Sequence, residues 1–103
     1  MKVRFSQDKI RIRLQEEELV ILEKEETVEI STVFSPIDRM FIRLSTWIPT
    51  AIGYALENNC LHVFIPATSL ETLRAGETFS AAFDEGQALH AQLIVEADLP
   101  CKH

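Results

Sequence analysis

Glycine is scarce in this chain: Gly53, Gly76 and Gly86 are all there are, and they are scattered. That excludes a glycine-rich phosphate loop and a dinucleotide fingerprint, both of which need clustered glycines so that backbone can close on phosphate. Cysteine is equally scarce. Cys60 and Cys101 lie 41 positions apart, which is no disulfide framework and reads as a cytoplasmic chain with reduced thiols. No run approaches the ~18 apolar residues of a membrane span, and the alternation around Lys2 and Arg4 is not the apolar core of a secretory leader. There is no G-x-S-x-G and no H-E-x-x-H, so the common hydrolase and metalloprotease signatures are missing. Positive charge is in the minority, with 10 basic against 16 acidic residues and a net charge of −6. A protein that simply coats nucleic acid or anionic membrane is thereby disfavoured, although a local basic face can survive inside an acidic total.

What is present is period-2 alternation. In Lys9–Leu14, Ile10, Ile12 and Leu14 face one way and Lys9, Arg11 and Arg13 the other, the pattern of a half-buried strand. Val3 and Phe5 alternate with Lys2 and Arg4 before it, and the Ser6-Gln7-Asp8 break makes the pair a hairpin. The period then changes. Glu16, Glu17 and Glu18 precede Leu19 and Leu22 in a segment ending near Glu26, which predicts a short helix with acid in its first turn. Val28 and Ile30, then Met40, Ile42 and Leu44, predict two more strands joined at Ser35-Pro36-Ile37-Asp38.

Adding 51 to these numbers lands on a second set with the same pattern: Tyr54 and Leu56; Leu61, Val63 and Ile65; Leu70 and Leu73; Phe79 and Ala81; Ala91, Leu93 and Val95. The second helix carries Thr68 as a cap, Glu71 three residues later and Gly76 at its end. The expectation is one α+β domain over residues 1–103, built from β-β-α-β-β twice, at 1–47 and 52–98, with mainly antiparallel strands. One curled sheet, a small barrel and two sheets all satisfy the pattern.

Three candidate sites follow. The basic residues Arg4, Arg11, Arg13, Arg39 and Arg43 leave the core face of their strands, as do Lys2 and Lys9, and Phe41 and Trp47 stand among and beyond them. Guanidinium forks take phosphate and aromatic rings stack on bases, so this face is the candidate ligand surface; cross-strand ion pairing and solubility are the competing explanation. The second is metal. Cys60 and His62 share the face opposite Leu61 and Val63, and His90, Cys101 and His103 complete a Cys/His set. Zinc sites normally bring paired ligands on tight turns, which these are not. The third is a protein partner, with a second copy of the chain among the candidates. No histidine stands beside a recognisable nucleophile, and no catalytic residue or cofactor is expected.

The segments KVRF and IRIRL, YALE at 54–57, VFIP at 63–66 and IVEADLPC at 94–101 resemble a family of small bacterial proteins of unknown function. The resemblance implies a bacterial, cytoplasmic protein and no transferable activity. The functional expectation is therefore a non-enzymatic binding or interaction module, with a binder of anionic small molecules, nucleotides or single-stranded nucleic acid through the arginine face second and a Cys/His metal binder third.

Overall fold

The structure is a computed structural model that describes residues 1–82, 84–85, 88–89 and 91–99. The order of elements is β1 (Lys2–Ser6), β2 (Lys9–Gln15), α1 (Glu16–Glu25), β3 (Thr27–Val33), β4 (Arg39–Ser45), β5 (Gly53–Glu57), β6 (Cys60–Phe64), α2 (Ser69–Arg74), β7 (Phe79–Ala81), β8 (Asp84–Glu85), β9 (Ala88–Leu89) and β10 (Gln92–Asp98). Apart from the small β8–β9 pair, the strands form two four-stranded sheets, β1-β2-β10-β7 and β3-β4-β6-β5. This is an α+β fold, and neither sheet closes into a barrel.

Each sheet draws on both halves of the chain. The hairpin β1–β2 is joined to β10 by parallel pairing of β2 with β10, and β3–β4 is joined to β6 by parallel pairing of β4 with β6. These two parallel seams are not legible from alternation, which is the same for either strand direction. Register carries the offset of 51 throughout. Lys2 faces Arg13 and Gly53 faces Phe64; Lys9 faces Gln92 and Cys60 faces Phe41; Glu29 faces Arg43 and Ser80 faces Ile94. The hydrogen bonds leading into the seams follow the same rule, with Gln92 N–H donating to Asp8 O and Phe41 N–H to Asn59 O, both at 2.8 Å.

The apolar sides of both sheets and both helices share one core. Ile12, Leu14, Leu19, Leu22, Leu44, Val63, Ile65, Leu73, Leu93 and Val95 are fully buried in it. Burying each such side chain is worth about 1.5–3 kcal/mol.

Local chemistry sets the helix ends. Gln15 sits extended at the start of α1, and the Glu18 carboxylate accepts its backbone N–H at 2.9 Å while also holding the Met1 ammonium. Glu26 stops the helix by entering the left-handed region at φ 64°. At α2 the expected Thr68 cap is not made. Thr68 is itself helical, in a run of turns from Pro66 in which Ser69, Leu70 and Glu71 N–H groups bond to backbone carbonyls three residues back. Its hydroxyl therefore has no free N–H to cap, and Ser69 Oγ bonds back to Pro66 O instead. Gly76 ends α2 as expected, at φ 82°, with Glu77 N–H reaching Thr72 O. Among the described residues, no helix is long and apolar enough to cross a membrane.

Candidate binding surface

The basic residues divide between the two sheets. Lys2 and Arg4 on β1, with Lys9, Arg11 and Arg13 on β2, occupy the outer face of the first sheet because Val3, Ile10, Ile12 and Leu14 take the core side. Arg39 and Arg43, with Phe41 between them, lie on β4 of the second sheet. The gathering of five guanidinium groups in one patch that alternation alone allows is therefore not formed: three belong to one sheet and two to the other.

On the first sheet the antiparallel register sets like charges against each other. Arg4 is directly opposite Arg11, and Lys2 directly opposite Arg13. With Val3 and Glu96 these four residues line one open groove of about 280 Å³. Glu96 is brought in by β10, whose parallel register places it beside Arg13, and its carboxylate accepts from Arg13 Nη2 at 3.2 Å and Nε at 3.3 Å. Among the described residues Lys2, Arg4, Lys9 and Arg11 have no carboxylate partner. Like charges directly across a strand pair destabilise it by roughly 0.2–1 kcal/mol each. The neighbouring positions of the same register are Ser6, Gln92, Ser80 and the buried Ile94, so among the described residues no aromatic ring stands on this face.

The second sheet is different in kind. Arg43 is held by Glu29, its cross-strand neighbour, at 2.6–2.7 Å. Trp47 is 53% exposed and meets Phe64 edge-on at 6.4 Å between centroids. Phe41 shares the outer face with Arg43 and Cys60. Arg39 belongs to a separate depression with Phe34, Asp38, Met40, Leu56 and Asn59.

His62 lies between these features. Its ring stacks on Phe64 at 4.2 Å, and Nε2 is 3.1 Å from Ser45 Oγ, which in turn lies 3.2 Å from Thr27 Oγ1. Ser45 is fully buried, so this hydroxyl ties three strands together and is closed to a substrate. Burial, and then the Arg43 guanidinium, lower the His62 pKa below its ordinary value of 6.5, with Glu29 and Glu57 opposing. The folded state thus binds fewer protons at this site than the unfolded one. Its contribution is fully present above the unfolded pKa and is lost as pH falls through and below it. Thermal unfolding should show a lower Tm on moving from about pH 7.5 to 5.5, and His62→Gln should flatten that part of the profile.

For the metal alternative, Cys60 and His62 do lie on one face of β6, Cys60 as a half-buried free thiol. His90, Cys101 and His103 lie outside the described residues. Among the described residues no three His, Cys, Asp or Glu side chains come together in a metal-binding group.

Two features of the basic face escape a reading by alternation. The pairing of Arg4 with Arg11 was recoverable, because a two-residue turn at Gln7-Asp8 forces Ser6 against Lys9 and so fixes the rest of the register. Glu96 was not, because its position depends on a parallel seam between strands 83 residues apart.

The chain belongs to a family of unknown function, DUF7009, whose model matches residues 1–103. No curated protein matches it, and no solved structure matches it.

Proposed function

We propose that this member of a family without an assigned activity is a non-enzymatic binding module, a single domain over residues 1–103, that takes an anionic partner on the outer face of hairpin β1–β2. One observation carries the reading: two like-charge cross-strand pairs, Lys2↔Arg13 and Arg4↔Arg11, line one groove in which, among the described residues, Arg13 alone has a carboxylate partner. A face kept merely for solubility would gain stability by alternating charge signs across the strands, and a chain of net charge −6 needs no added cations to stay soluble. Unpaired guanidinium groups held side by side are what a carboxylate- or phosphate-bearing partner requires. The reading supposes a bacterial, cytoplasmic setting; the free thiol of Cys60 is in keeping with the cytoplasm.

The test is calorimetric titration of the full chain with polyglutamate and with inorganic polyphosphate at several salt concentrations. Binding that weakens steeply with salt, and weakens further in Arg11→Ala, is expected. An unchanged heat for both probes, or binding indifferent to Arg11, overturns the reading. A second copy of the chain is the runner-up partner, favoured by the exposed side chains of Phe34, Ile37, Trp47 and Leu56. In that case the native mass is that of a dimer.

A further inference from the structure

Strand β1 has a partner on one side only. It stands at the end of its sheet, paired to β2, and among the described residues none of its outward backbone groups makes another hydrogen bond. Such an edge is a template for one more strand. Its two rows of side chains differ sharply. Lys2 and Arg4 point to the basic groove, backed by Arg13 and Arg11 one strand further in. Val3 and Phe5 point to the rim of the core, where Phe5 remains 53% exposed.

The three other edges of the two four-stranded sheets lack this combination. β7 spans only Phe79–Ala81. β3 has its Glu29 already engaged by Arg43. β5 presents Gly53 and Ala55 on its outer face and Glu57 as its one charge.

Building on the anionic-partner reading, we propose that β1 is the docking edge for an extended acidic segment of a partner protein. The segment adds as the fifth strand of the sheet. It places Asp or Glu at alternate positions against Lys2 and Arg4, and apolar side chains at the intervening positions against Val3 and Phe5. The geometry fits side by side: alternate residues of a strand are about 6.6–6.8 Å apart, so successive acids meet successive cations. A second copy of β1 is excluded from the same place, because it would set Lys and Arg against Lys and Arg. Nucleic acid is disfavoured, because among the described residues this face offers no ring for bases to stack on and the apolar row of Val3 and Phe5 would be left unused.

The experiment compares five probes on the full chain by fluorescence competition: a peptide of alternating Glu and Val; its isomer with the same residues in two blocks; the alternating peptide N-methylated at every second residue, in each of the two phases; and single-stranded oligothymidine. The alternating peptide should bind tightest. At least one methylated phase should bind about tenfold more weakly, the worth of one or two backbone hydrogen bonds. Arg4→Glu should abolish the binding, and Phe5→Ser should weaken it, both variants being checked for an unchanged unfolding transition. Backbone amides of β1 should also gain protection from hydrogen exchange when the alternating peptide is bound.

Equal binding of the block isomer and both methylated peptides overturns the strand-addition proposal while leaving a face that reads charge alone. Tighter binding of the oligonucleotide overturns it in favour of nucleic acid. Failure of every acidic probe removes the anionic-partner reading itself.

Discussion

Arg11→Glu should raise the Tm of the protein while removing its affinity for an anionic partner by about a hundredfold or more at low salt. Arg11 lies directly opposite Arg4, two residues from Arg13 and two from Lys9 on its own strand. A glutamate there exchanges a repulsive cross-strand pair for an attractive one, a gain of roughly 0.2–1 kcal/mol. In a domain of this size 1 kcal/mol moves Tm by about 4–8 °C, so a rise of a few degrees is expected in a thermal melt. The same change sets a carboxylate in the middle of the groove, where like charge against the incoming partner costs several kcal/mol. Stability and binding then move in opposite directions, as expected where unfavourable local electrostatics is retained for a partner. A lowered Tm would mean that Arg11 stabilises the fold, and the basic face would lose its main claim to be a site.

The second large effect concerns the core. Leu22 on α1 and Leu73 on α2 are both fully buried and stand 51 residues apart. Truncating either to alanine should cost about 2–5 kcal/mol and lower Tm by roughly 10–30 °C. We propose that the halves 1–47 and 52–98 are equivalent units, and the two costs should then be similar. Each sheet contains strands from both halves, and the two helices pack on each other within the one core. Damage at either leucine therefore reaches both sheets, and each variant should unfold in one cooperative transition. Chemical denaturation followed by far-UV circular dichroism and by Trp47 fluorescence checks this, because the two probes should give one midpoint. Separate midpoints, or a near-neutral effect at Leu73, would contradict equivalence.

Much of the architecture was written in local periodicity. The alternation of Ile10, Ile12 and Leu14 against Lys9, Arg11 and Arg13 is what the burial of β2 reproduces, and the apolar spacing of Leu19 and Leu22 is what seats α1. The pairing between halves was not legible. Alternation states which face of a strand is apolar, but not which strand lies beside it or in which direction, so the seams β2–β10 and β4–β6 had no local signal. The division of the arginines between two sheets was not legible for the same reason. Arg39 and Arg43 share a face class with Arg4 and Arg11, yet chain order sends β4 to a different sheet. Thr68 shows the opposite limit: its spacing to Glu71 fits a capping box, but the Pro66 turn already occupies the N–H groups that its hydroxyl would serve.

The most direct test of the central claim is a map of where an acidic peptide touches the chain. Isotope-labelled protein is titrated with the alternating Glu-Val peptide at low salt while backbone amide shifts are followed by NMR. The account predicts that the largest changes fall on Lys2–Ser6 and Lys9–Arg13, and that they fade as salt is raised. Changes centred on β4 and β6, around Arg43, His62 and Trp47, or shifts absent from hairpin β1–β2, would contradict it.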